Sequence, residues 1–213
     1  WLDKNLLSIY DYWQFWRNTD DRDVIKFLKM FTDLSIEKIE EIKKLTDQLY
    51  CAWTSRSQVF ICGNGGSAAN ALHIANDLHY GIGACGPGPI IHGMRVEALP
   101  ANTGIITCLA NDTGYENIYA HQIQVKGQAG DLLIVLSGSG NSENVYEAVN
   151  VAKKKKIKTV SLLGGNGGKV KKISDEYFIV NEKNPSRVQE IHIIFYHNVC
   201  DVVEDYFFKK KKN

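Results

Sequence analysis

The sequence predicts an α/β domain: a doubly wound, mostly parallel five-stranded sheet flanked by helices, with a helical N-terminal extension. Short apolar runs recur at residues 58–62, 132–136 and 159–163. Each is followed by a Gly- or Ser-rich turn, GNGGS, SGSGNS and GGNGG in that order, and then by a helical segment. Strands that alternate with helices argue for a parallel sheet covered on both faces.

The chain opens with an aromatic-rich stretch holding Tyr10, Tyr12, Trp13, Phe15 and Trp16, which ends in the polar run Asn18, Thr19, Asp20 and Asp21. From 23 to about 54 the apolar residues recur at helical spacing: Val24, Phe27 and Leu28, then Ile36, Ile39, Ile42, Leu45 and Leu49. Ser35 followed by Glu37 and Glu40 suits a helix start, because acids favour the positive end of the helix dipole. Residues 1–54 therefore read as a helical segment that packs on the domain or on a partner subunit. Residues 55–208 carry the α/β domain, and 209–213 form a basic tail. Further strand-like stretches lie near 105–109 and 177–180, and a long helix runs from about 186 to 208. The lysine runs 153–156 and 209–212 each fall at the end of a predicted helix, where cations complement the dipole and stay solvated.

With 213 residues, 44% of them hydrophobic, the chain can bury a core of its own. Its 25 Lys and Arg against 24 Asp and Glu leave a net charge of +1, which steers it toward neither nucleic acid nor membrane. Cys51, Cys62, Cys85, Cys108 and Cys200 are widely spaced, odd in number and without a C-x-x-C pair. They read as reduced thiols, neither a disulfide framework nor a thiolate zinc site. No apolar run approaches the ~20 residues that span a bilayer. Asp3 and Lys4 interrupt the aromatic opening, which does not read as a secretory signal. A cytoplasmic location is expected.

Two turns suit a phosphate. Gly63, Asn64, Gly65, Gly66 and Ser67 lead into a helix expected from Ala68 to about His79. Glycines let the backbone approach a ligand, and a helix start offers N–H groups and positive dipole to an anion. Gly63-x-Gly65-x-x-Ala68 also satisfies a dinucleotide fingerprint, but the next candidate strand meets Leu99, Pro100, Ala101 and Asn102, with no acid to hold a ribose. The second turn, Ser137, Gly138, Ser139, Gly140, Asn141 and Ser142, precedes a helix from Glu143 to about Lys155. Its hydroxyls can surround a phosphate without arginine, although Ser142 alone could be only an N-cap. Two such turns at strand C-termini favour a ligand. No G-x-x-x-x-G-K-[ST] sequence is present, which disfavours nucleotide hydrolysis.

GNGGSAANALH (63–73), LANDTGYEN (109–117), GDLLIVLSGSGNSENV (130–145), GGNGGK (164–169) and RVQEIHIIFYH (187–197) together resemble the phosphoheptose isomerases. These are a branch of the sugar isomerase (SIS) domain proteins, and the likeness runs from about 23 to 204. It implies an SIS-type fold and an aldose–ketose isomerase that converts sedoheptulose 7-phosphate to D-glycero-D-manno-heptose 7-phosphate for surface glycans. It also implies a homotetramer with active sites between subunits and one Zn²⁺ per subunit. By motif position the sugar phosphate would meet Asn64, Gly65, Gly66 and Ser67, then Asp77, Asn111 and Asp112, then Ser137, Gly138, Ser139 and Ser142, and finally Gln189. The metal ligands carried over are His73, Asp77, Gln189 and His197, with Asp77 and His197 as the proton-transfer pair. Two positions depart from the family: it usually has glutamate where this chain has Asp77, and threonine where this chain has Gly138. The first shortens the reach of an acid by one methylene, and the second removes one hydroxyl contact.

His73 and Asp77 are four residues apart on one predicted helix, so they share a face and can reach one ion or form a surface pair. A histidine, carboxylate and amide set suits Zn²⁺ or another borderline divalent metal. Ser186-x-x-Gln189 is also a capping box, which would occupy the glutamine. His197 lies eight residues beyond Gln189, about 12 Å along a helix. His192 reads as structural or interfacial, and His79, His92 and His121 as loop or surface histidines. Two other readings stay open: a non-catalytic SIS protein that binds a replication initiator or senses a sugar phosphate, and an isomerase of a different sugar phosphate.

Overall fold

The computed structural model describes residues 36–81 and 92–210. The aromatic opening, the expected helix before 36, Cys85 and the last residues of the basic tail lie outside them. The chain divides into two compact units, Trp1–Glu40 and Glu41–Asn213, and the candidate site lies wholly in the second.

Leu132–Ser137 is buried along its whole length, as a strand covered on both faces must be. It is β3 of a five-stranded sheet that also holds β1 (Gln58–Gly63), β2 (Arg95–Ala98), β4 (Lys158–Gly164) and β5 (Glu176–Val180). The order is β2-β1-β3-β4-β5 and every pairing is parallel. Chain order reverses between β1 and β3, the place where open α/β sheets leave a crevice outside their strand C-termini. The register sets Gly63 beside Leu136 at that edge. At the opposite edge the Asp131 carboxylate accepts from the N–H of Gln58 at 2.9 Å and of Gln128 at 2.8 Å, tying the starts of β1 and β3 together.

Six helices accompany the sheet among the described residues: α1 (Ile36–Ser55), α2 (Gly66–Asn76), α3 (Thr103–Thr113), α4 (Ala120–Lys126), α5 (Glu143–Lys154) and α6 (Pro185–Lys210). On one face Val145, Ala148, Val149 and Ala152 of α5 recur at helical spacing and join Phe60, Cys62, Leu133 and Val135 in one core cluster. Alternation along the strands sends Val59, Ile61, Ile134 and Leu136 to the other face. There α2 and α6 run in the same direction, with the Tyr196 hydroxyl donating to the Ile74 carbonyl at 3.2 Å. Phe195 of α6 stacks on Phe178 of β5 with ring centroids 4.0 Å apart, and Leu45 of α1 lies beside them. Full burial of one such aliphatic side chain contributes roughly 1.5–3 kcal/mol. Among the described residues no helix is long and apolar enough to cross a membrane.

One expected strand is a helix. Residues 105–109 belong to α3, because Asn102 Oδ1 accepts from the Ile105 N–H at 3.1 Å and caps a helical turn. The strand of this region is β2, upstream, ending where Pro100 sits in a short 3-10 turn, Leu99–Ala101. Proline has no N–H for a strand ladder.

Candidate active site

Two glycine positions shape the crevice between β1 and β3. A Cβ on Gly63 would lie 2.8 Å from both the Leu136 carbonyl oxygen and Ser67 Cβ, so no larger residue fits where these strands end. Gly140 has a φ of 64° and packs its Cα against the Gly167 carbonyl, where a Cβ would overlap backbone. The turns at 138–142 and 165–168 therefore meet main chain to main chain, joined by the Val170 N–H donating to the Gly140 carbonyl at 3.0 Å.

Between these turns lies a cavity of about 390 Å³. Of the residues expected to meet a sugar phosphate, Asn64, Ser67, Ser137, Gly138, Ser139, Ser142 and Gln189 line it. The hydroxyls of Ser137 and Ser139 accept from the N–H groups of Gly140 (3.1 Å) and Asn141 (3.2 Å). Each still has its own proton to donate to a ligand. Ser142 sits at the N-cap position of α5 but makes no side-chain capping hydrogen bond, so its hydroxyl is left to the cavity. α2 begins at Gly66, two residues earlier than expected, and brings a second helix start to the same place.

Gln189 is not held in a capping box. Asn184 caps α6 instead: its Oδ1 accepts from the Ser186 N–H at 3.0 Å, and its carbonyl from the Val188 N–H at 3.1 Å. The Gln189 amide lies over Gly66, where any Cβ would overlap it, so it belongs to the cavity end of α6.

Farther along the same two helices, His73, Asp77 and His197 meet. Nε2 of His73 is 3.0 Å from Nε2 of His197 and 3.2 Å from Asp77 Oδ2, and His197 Nε2 is 3.7 Å from that oxygen. Asp77 opens a single π-helical turn, Asp77–Gly81, a feature found often at functional sites. Two facing imidazole nitrogens are satisfied only by a shared proton or a cation. The donor spacings bracket about 3.3 Å, the edge of a tetrahedron with metal–ligand bonds of about 2.0–2.1 Å. Chemistry and spacing both fit a divalent ion of the zinc class. Three of the four expected ligands thus converge, while the Gln189 amide sits over Gly66, seven residues and about 10 Å of helical rise before His73.

Asn111 and Asp112 are not among the cavity residues of this chain. Both are exposed at the end of α3, where the Asn111 amide donates to the Asp112 carboxylate at 2.7 Å. Conversely, Asn166, Glu182 and Lys183 line the cavity without having been expected there. Lys183 and Glu182 follow β5 and precede α6, so the rule that ligands gather at strand C-termini could have found them. The N–H groups of Asn184 and Lys183 hold the Glu182 carboxyl below its ordinary range. His192 is fully buried, with Nε2 3.2 Å from the Leu163 carbonyl oxygen and Nδ1 without a partner. Burial pushes its pKa down to about 4, despite the Leu163 contact. Burial likewise raises the Cys62 thiol, leaving it unreactive.

The chain matches the SIS domain family over residues 25–164, more than half its length. It is 41% identical over 175 residues to a phosphoheptose isomerase of Sulfurimonas denitrificans, covering 81% of this chain and 85% of that protein. A phosphoheptose isomerase of Helicobacter pylori is 38% identical over 179 residues, covering 83% and 90%. Among solved structures, the Neisseria gonorrhoeae phosphoheptose isomerase superimposes with a TM-score of 0.72 at 30% identity, over 78% of this chain and 86% of that one. The enzyme from Francisella tularensis gives 0.73 at 27% identity, over 80% and 90%. With its sheet order, its two phosphate-type turns and these likenesses over most of its length, the chain belongs to the phosphoheptose isomerase family of SIS-domain proteins.

Proposed function

We propose that the chain is an aldose–ketose isomerase that converts sedoheptulose 7-phosphate to D-glycero-D-manno-heptose 7-phosphate, for surface-glycan heptose synthesis. One observation carries the reading: a hydroxyl-lined cavity and a His–Asp–His cluster share helix α2 as a ruler. Ser67 and His73 are six residues apart, about 9 Å of helical rise. An extended seven-carbon chain with C–C bonds of about 1.5 Å spans about 10 Å from phosphorus to C1. A phosphate among Ser67, Ser137, Ser139 and Ser142 therefore leaves the C1–C2 end within reach of Asp77 and His197.

At that end the reaction moves one carbon-bound proton. An ionised carboxylate can only accept, so Asp77 takes the proton from C1 of the ketose and returns it at C2 of the enediol. The His197 imidazole can accept and donate, and serves the hydroxyl protons on O1 and O2 through a ring nitrogen that holds no metal. His73, Asp77 and His197 would hold a zinc ion, one per subunit, which supplies carbonyl polarisation and oxyanion stabilisation when bound. Gln189, at the other end, orients the phosphate side of the substrate.

A homotetramer with Asn111 and Asp112 delivered across a subunit boundary accounts for their distance from the cavity of their own chain. Cys51, Cys62 and Cys108 are free thiols, which suits a cytoplasmic location. The test is turnover of sedoheptulose 7-phosphate by wild type and by Asp77→Asn. The variant should lose at least ~10²-fold in kcat, the ordinary worth of a positioned acid or base. Wild type that binds the ketose but never isomerises it would make the chain a sugar-phosphate sensor instead. The open space at Gly138 favours one second reading, an isomerase of a related sugar phosphate, and the same assay run with other phosphoketoses decides between them.

A further inference from the structure

We propose that Asn144 is a positioning residue: its buried amide fixes the orientation of Asn64, so that Asn64 offers an N–H to the phosphate in the cavity. The inference rests on the phosphosugar reading of that cavity. Asn144 is the second residue of α5 and only 2% exposed. Asn64 Nδ2 donates to Asn144 Oδ1 at 2.8 Å, and Asn144 Nδ2 donates back to Asn64 Oδ1 at 2.8 Å. This closed pair of amides joins the turn after β1 to the helix after β3.

The pair alone would be as well satisfied with both amides turned over. The backbone breaks that symmetry, because the Val145 N–H, which can only donate, lies 2.9 Å from Asn144 Oδ1. Asn144 must therefore present its oxygen there and its Nδ2 to Asn64. The Tyr115 hydroxyl donates to the same Asn64 oxygen at 3.4 Å, while the Tyr119 hydroxyl, also 3.4 Å from it, gives its one proton to the Gly63 carbonyl at 2.5 Å. With its oxygen held by the Asn144 amide and the Tyr115 hydroxyl, Asn64 has one N–H engaged by Asn144 and a second left to the cavity it lines. If the clamp is removed, the Asn64 amide is free to turn its oxygen toward the phosphate, exchanging a hydrogen bond for repulsion. Asn144 touches no substrate and acts only through Asn64.

The experiment is a double-mutant cycle on Asn64→Ala and Asn144→Leu, read by calorimetric titration with sedoheptulose 7-phosphate, steady-state kinetics and thermal denaturation. Asn144→Leu should raise Kd and KM about tenfold or more, the worth of a hydrogen bond to a charged group, with kcat nearly unchanged. The double variant should bind no more weakly than Asn64→Ala, because the two losses are one loss. Asn144→Asp keeps the acceptor for Val145 but loses the donor to Asn64, and should also weaken binding, which covers the case in which the leucine variant fails to fold. A lower Tm with wild-type Kd, or effects that multiply in the double variant, would overturn the proposal and leave Asn144 a packing residue. Wild type that binds no sugar phosphate would bring down the functional reading itself; wild type that binds well alongside variants that match it would bring down only the positioning role.

Discussion

Gly138 and Gly140 stand two residues apart in one turn, and the structure demands opposite outcomes when each receives a side chain. A Cβ on Gly138 meets nothing within 4 Å, and its φ lies outside the left-handed region. Gly138→Ala should stabilise the fold by about 0.4–1 kcal/mol, because alanine restricts the unfolded chain more than glycine does. For a chain of this size that raises Tm by about 1–4 °C. Gly138→Thr places a hydroxyl beside Ser137 and Ser139 on the cavity wall. One further hydrogen bond to a phosphate is worth roughly 1.5–3 kcal/mol, so Kd for sedoheptulose 7-phosphate should tighten about tenfold or more. Gly140→Ala meets the Gly167 main chain at a φ of 64°. Left-handed strain of about 1–2 kcal/mol and overpacking of about 1–3 kcal/mol should together lower Tm by several degrees. Scanning calorimetry and titration calorimetry on the three variants read all of this. A destabilised Gly138→Ala, or a Gly140→Ala as stable as wild type, would refute the described turn, and a Gly138→Thr that binds more weakly would place the phosphate elsewhere.

Ser139→Ala and Ser67→Ala should each weaken sugar-phosphate binding about tenfold or more, for the same hydrogen-bond reason; unchanged Kd in both would remove phosphate from the cavity. Purified protein should carry near-stoichiometric zinc, and His73→Ala should lower occupancy by at least tenfold; metal analysis that finds no divalent ion, with activity indifferent to chelators, would leave His73, Asp77 and His197 with proton-transfer roles alone. His192 is lowered from 6.5 to about 4 in the fold, so between those values the unfolded chain binds the extra proton and stability falls as pH drops. Two and a half units correspond to about 3 kcal/mol at most, and denaturant titrations from pH 7 to 4 should show a shallower loss in His192→Leu than in wild type; equal slopes would mean that the histidine titrates normally.

The sheet was legible because its strands are apolar runs closed by glycine and serine, and Leu132–Ser137 is as buried as that pattern requires. The misread stretch at 105–109 shows where pattern runs out. Ile105, Ile106 and Leu109 satisfy an apolar run and a helical face alike, and the choice is made by the Asn102 side chain, a local cap. Ser186 and Gln189 match a capping box, yet Asn184, one residue before the helix, takes the N–H that the box would use. The serine turn and the His73–Asp77 pair were readable from spacing. His197 was assigned only through the family likeness, because no spacing rule relates residues 73 and 197. Their meeting depends on α2 and α6 packing side by side in the same direction.

That packing also explains why the site has two halves. Parallel register at the reversal between β1 and β3 puts Gly63 beside Leu136, so two turns far apart in sequence must open onto one crevice. This half follows from topology and would arise in any sheet of this order with small residues at those ends. The other half does not follow from the sheet at all. It needs α2, which starts in the crevice at Gly66, to carry His73 to His197, and the π-helical turn that follows it to bring Asp77 beside them, with Tyr196 pinned to Ile74. The distance between the halves is then set by helical rise rather than by loop conformation. A helix tolerates no small adjustment of that spacing: one residue inserted in α2 would rotate His73 by about 100° around the axis, away from His197. If the cavity holds the phosphate as proposed, substrate length is therefore matched to the rise of one helix, while the turns at either side vary the contacts along the sugar.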